Sequence, residues 1–171
     1  MTSPIIPKAS IAVIRLQIQG EPHILMMQRS FDDRDPWSGH WSFPGGKIEP
    51  DETPLEASIR ESYEEVGASL SADQLSFEME IGKAGSAVGR EIWVKPFVFD
   101  IQELPKLKLQ TDEVHQTIWL KEKDFLNPRL HGEFSVFKDK PELTFKGFNI
   151  PKGKGVLWGF SYRILKDLYS S

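Results

Sequence analysis

The 171-residue chain contains no cysteine, which excludes disulfides, thiolate-bound metals and a cysteine nucleophile together. Long apolar runs are missing as well. The longest aliphatic stretches, Ile11 to Ile14 and Ile24 to Met27, are four residues each, against the ~20 needed to cross a bilayer. The opening Met1-Thr2-Ser3-Pro4 lacks a basic region followed by an apolar one, so no secretory signal is read and a cytoplasmic location is expected. Nor is there a basic surplus: 21 Lys and Arg stand against 25 Asp and Glu, a formal charge of −4. Nucleic acid and anionic membranes are therefore not expected partners, because both are met by a basic stripe. Repeats, low-complexity tracts and charge blocks are also absent, and a single domain over 1–171 is expected.

What is present suits an ordinary folded domain. Hydrophobic residues make up 39%, charged residues 27% and aromatic residues 11%, enough to build a core without staples. Ser10 to Ile18 and His23 to Arg29, separated by a turn at Gln19 to Pro22, predict a β-hairpin. A polar loop over 30–41 follows, then a short strand ending at Phe43 and the turn Pro44-Gly45-Gly46. Thr53, Pro54 and Glu56 form a helix-start signature, and Gly67 is a helix-end residue, so a helix is predicted from Pro54 to Val66. Further strands are expected near Leu75 to Ile81, Glu91 to Asp100 and Thr117 to Leu120, with Pro96 at an edge or bulge. The spacing of Leu157, Phe160, Ile164, Leu165 and Leu168 predicts a last helix over Leu157 to Tyr169. Residues 127–155 carry no assignable pattern, and a specificity lid is the reading they are given.

Chemistry concentrates on the first helix. Glu61, Glu64 and Glu65 lie at offsets 0, +3 and +4, which sets three carboxylates on one helical face. Such like charges repel, and a divalent cation with hard oxygen ligands, Mg²⁺ or Mn²⁺, is their natural compensator. Pairing of Arg60 with Glu64 one turn away is the plain structural alternative. The wider frame runs from Gly46 through Glu52 to Arg60-Glu61-Ser62-Tyr63-Glu64-Glu65-Val66-Gly67. It resembles the Nudix box, departing from it only at Ser62 and Ala68, where larger apolar residues are usual.

That resemblance implies an α/β fold, a Nudix-type α/β/α sandwich with mixed β-sheet. It implies that Glu61, Glu64 and Glu65 hold the catalytic metal with the Gly46 carbonyl, while Glu52 and Arg60 brace the loop. The expected reaction is hydrolysis of a pyrophosphate linkage in a small nucleotide derivative. Bound cations neutralise the clustered charge and lower the pKa of the attacking water. A carboxylate then takes the proton, either Glu61 or a glutamate of a later loop, for which Glu113 is the candidate.

Residues upstream of the frame bear on the substrate. Leu25-Met26-Met27-Gln28-Arg29-Ser30, Arg34, Gly39 and Phe43-Pro44-Gly45-Gly46 resemble the signature of the coenzyme A pyrophosphatase branch, with one extra residue between Arg34 and Gly39. Leu157 to Leu165 and the Asp112-Glu113-Val114 stretch are similar to later parts of that branch. Coenzyme A or an acyl form is thus the expected substrate. ADP-ribose, another nucleotide sugar, a nucleoside triphosphate, or a non-catalytic nucleotide sensor are the rivals. Arg29 and Arg34 suit phosphate clamping, or else surface pairing with Asp32, Asp33 or Asp35. Trp37 and Trp41 suit either stacking on the ligand or core packing. His40, between them, either touches phosphate or is structural.

Overall fold

The computed structural model describes residues 3–170; Met1 and Thr2, read above for a leader, lie outside them. Strands β1 (Ala9–Ile18) and β2 (Glu21–Arg29) form the expected hairpin. They pair antiparallel only from Arg15 opposite Ile24 to Ile18 opposite Glu21. Beyond that point the hairpin opens, and the segment after the polar loop fills the opening. Its strand β3 (Trp41–Ser42) pairs with β2, and β4 (Gly45–Lys47) pairs with β1. The opening therefore places Gly45 and Gly46 beside the first residues of β1, with Gly46 opposite Ser10.

Helix α1 (Pro54–Val66) has the predicted bounds. Thr53 Oγ1 accepts from the Glu56 N–H at 3.1 Å, Pro54 opens the first turn, and Gly67 at φ +76° closes the last. Ser62, where a larger apolar residue was expected, is fully buried and donates to the Ser58 carbonyl at 2.8 Å. Small residues here let the helix lie close on the sheet.

Downstream come β5 (Leu75–Glu78), β6 (Gly82–Ala84), β7 (Ile92–Ile101), β8 (Val114–Lys121) and the short helix α2 (Glu122–Phe125). Strand β7 runs parallel to β1, while β8 lies antiparallel on β2, giving an eight-stranded mixed sheet. Pro96 is not on an edge strand: β7 has partners on both sides. It sits at the seam between β5 and β6, where its carbonyl accepts from the Met79 N–H at 3.0 Å.

The region 127–155, which shows no pattern in the sequence, holds β9 (His131–Ser135), β10 (Thr144–Ile150) and the start of β11 (Gly155–Trp158), a separate three-stranded sheet. Trp158 is still extended, so helix α3 begins two residues later than predicted and runs Gly159–Leu168. Alternation along β1 and β2 sorts the core. Ala12, Ile14, Leu16, Leu25 and Met27 face α1, whereas Val13, Ile24 and Met26 face α3 and the small sheet. The expected sandwich with a mixed sheet is what forms. Among the described residues no helix is long and apolar enough to cross a membrane.

Candidate active site

The three glutamates of α1 emerge at different depths. Glu65 is buried, Glu61 is largely buried and Glu64 is about half exposed. Glu65 Oε1 accepts from the Gly45 N–H at 2.7 Å. Burial pushes its carboxyl up to about 8, with Glu61 and Glu113 adding repulsion. Burial raises Glu61 as well, against the lowering effect of Arg60. Gly46 lies so close that a Cβ there would meet Glu61 Oε1 at 2.6 Å, so only glycine leaves room for that carboxylate.

Arg60 ties the group together. Its Nη2 and Nε donate to Glu52 at 2.7 and 3.0 Å, and its Nη1 donates to Glu61 at 3.0 Å and Glu64 at 3.1 Å. A fifth bond reaches the Lys47 carbonyl at 3.1 Å. Arg60 thereby holds Glu52 below the usual carboxylate range and fixes the loop before α1. The alternative of Arg60 paired with Glu64 is thus present, along with the brace to Glu52.

Arg60 Nη1 bridges Glu61 and Glu64, and among the described residues no three metal-type side chains stand gathered as a finished cage. The donor chemistry nevertheless fits a hard divalent cation. All candidate donors are carboxylate or carbonyl oxygens, and Glu65 is buried with only a backbone N–H against it. Glu113 is brought near by the loop after β7: Gln110 N–H bonds the Glu65 carbonyl and Ser30 N–H bonds the Glu113 carbonyl, at 2.8 and 2.9 Å. Together Glu64 and Glu113 line a hollow of about 640 Å³ with Lys106 and Lys108.

Gly45 and Gly46 line a second, larger cleft of about 920 Å³. Arg29, Trp37, His40 and Trp41 line it, as do Phe145, Trp158, Arg163 and Lys166. Arg29 is already paired with Asp35 at 2.7 Å and lies over the Trp37 ring. Arg34 stands apart from the cleft: its side chain is 91% exposed and turns back on Asp32 at 3.1 Å. Trp41 is a core residue whose indole N–H donates to the Lys154 carbonyl at 2.8 Å, tying β3 to the small sheet. The His40 ring packs edge-on against Trp158, and burial lowers its pKa, which favours the neutral imidazole.

Sequence reasoning missed the far wall. Phe145, Lys146, Arg163 and Lys166 reach the cleft from β10 and α3, and only the Trp158-Gly159-Phe160 run marked that the last helix mattered.

A family model described as NUDIX domain matches residues 7–139. The chain is 34% identical over 129 residues to an uncharacterized protein of Schizosaccharomyces pombe, covering 71% of this chain and 38% of that one. It is 31% identical over 121 residues to the nucleoside triphosphatase NudI of Escherichia coli, covering 68% and 82%. Over the first three curated relatives it matches, the chain spans 38% to 62% of their length. A MutT/nudix family protein of Enterococcus faecalis superposes with a TM-score of 0.66 at 18% identity, over 96% of this chain and 61% of that one. The likeness to that structure is one of fold.

Proposed function

The chain belongs to the NUDIX family, and from that premise we propose that it is a metal-dependent pyrophosphohydrolase of a nucleoside diphosphate derivative. Coenzyme A or an acyl form is the leading substrate. The observation that carries the reading is Glu65 and Glu61 of α1 held against Gly45 and Gly46, two glycines that line the large cleft. Glu61, Glu64, Glu65 and the Gly46 carbonyl are the groups that would hold Mg²⁺ or Mn²⁺. When bound, such an ion neutralises the diphosphate and lowers the pKa of the attacking water.

The chain's own residues do the rest. Water adds to one phosphorus and the bridging P–O bond breaks, giving phosphopantetheine and 3′,5′-ADP from coenzyme A. The water's proton passes to a carboxylate, Glu61 or Glu113. Arg60, anchored on Glu52, fixes the carboxylates in register. Arg29, at the cleft wall, would meet a substrate phosphate only by exchanging its present partner Asp35. Similarity to NudI favours a second reading, a nucleoside triphosphate substrate.

A hydrolysis panel with Mg²⁺ decides between them. Coenzyme A, dephospho-coenzyme A, ADP-ribose and nucleoside triphosphates are incubated and resolved by chromatography. Release of 3′,5′-ADP from coenzyme A at the highest kcat/KM is the expected result. A triphosphate turned over faster would overturn the substrate assignment, and calorimetric binding without any product would overturn the enzyme.

A further inference from the structure

The two arginines that the sequence offers as phosphate clamps are both closed by aspartates, Arg29 by Asp35 and Arg34 by Asp32. The cations without an acidic partner are elsewhere. Lys146 on β10 and Arg163 and Lys166 on α3 line the large cleft, with Arg163 held at its β6 end. Among the described residues none of the three forms an ion pair. We infer that this end is a second anion subsite, which takes a phosphate or other anionic group of the substrate remote from the bond that is cut.

The geometry is set by the fold. Arg163 and Lys166, three residues apart on α3, share a face. Arg163 is held in place: its Nη2 donates to the Lys83 carbonyl at 2.6 Å and its guanidinium lies 5.7 Å from the Phe160 ring centre. That anchor fixes it beside β6.

The glutamate end lies beside β4, and the path between them crosses β1 and β7. Gly46 faces Ser10, Ala9 faces Val94, and Val94 faces Gly82. Three strand spacings separate the ends by roughly 14 Å. Adjoining phosphates of one polyphosphate chain are far closer together. An anion carried on the sugar or on a distal arm, rather than the phosphates flanking the cut bond, is the group this subsite would take. The stretch between has Phe145 and Trp158 with ring centres 4.8 Å apart, an apolar floor suited to a base or aliphatic segment.

This inference deepens the proposed function and rests on it, so the test has a binding arm that needs no turnover. The preference of kcat/KM for coenzyme A over dephospho-coenzyme A is measured for the wild type, for Lys166→Ala and for the Arg163→Ala/Lys166→Ala double variant. Calorimetry compares 3′,5′-ADP with 5′-AMP on the same proteins. The subsite predicts that the double variant loses at least tenfold of both preferences and that Lys166→Ala alone, which breaks no ion pair among the described residues, loses part. Equal preferences in all three proteins would overturn it. Absence of hydrolysis with the binding preference retained would overturn the enzyme and leave the subsite standing.

Discussion

Two segments face each other across the cleft and are held by opposite means. Between Phe43 and Gly67 the decisive bonds stay within the segment: Thr53 to Glu56, Arg60 to Glu52, Gly45 to Glu65. Between Leu126 and Leu168 they are long: Lys154 is bonded by Trp41, His131 meets Tyr162 at 2.8 Å, and Arg163 reaches Lys83. The first segment ties Glu52, Glu61 and Glu64 together through Arg60 and keeps an acidic surplus. The second, among the described residues, leaves its cations without acids. The contrast teaches that one side of the cleft is braced before any ligand arrives, while the other is charged for a ligand still to come.

Breaking the second side is expected to have the largest effect on stability. Phe148, fully buried between the small sheet and α3, contacts the core that includes Leu157 and Phe125. Phe148→Ala should cost about 3–5 kcal/mol in urea unfolding, and a loss well under 1 kcal/mol would show that the small sheet is not part of the cooperative core. Breaking the first side should instead remove activity and spare the fold. Glu64→Gln combined with Glu65→Gln is expected to lower kcat by about 100-fold or more, with circular dichroism unchanged. The amide that replaces the Glu65 carboxyl still offers an oxygen to the Gly45 N–H, so the loop stays in place.

Smaller effects sharpen the same contrast. Thr53→Ala removes a single local cap and should cost about 1 kcal/mol by urea titration, showing how much one short-range bond contributes to the braced side. Asp100 offers a control remote from the cleft. Arg15, bonded to it at 2.7 Å, holds its carboxyl below the usual range. A lowered folded pKa stabilises the protein above the unfolded value of about 3.9 and loses that stabilisation as pH falls through the folded value. The pair is partly exposed, so the contribution is under about 1 kcal/mol. Asp100→Asn should lower Tm slightly at neutral pH and flatten the acid limb of a plot of Tm against pH.

The same division decides what was legible in the sequence. Helix α1 was readable to the residue because caps, proline and glycine act within one turn. The hairpin followed from periodic apolar runs, and the mixed sheet from the resemblance to the Nudix box. The small sheet was not legible: Thr144 to Ile150 has no clean alternation, and its strands are defined by pairing with each other and by Trp41. Residue type alone left Arg34 open between phosphate clamping and pairing with a nearby aspartate, and the pairing seen depends on where the loop turns back on Asp32. Arg163 and Lys166 read as an ordinary helix surface until β6 and β10 are set beside α3.

The most direct test of the metal site is Mn²⁺ binding followed by electron paramagnetic resonance on the wild type and on Glu65→Gln. The expected result is a site that weakens at least tenfold when this one buried carboxyl becomes an amide. Equal affinity in the two proteins would contradict it, because the metal would then lie elsewhere.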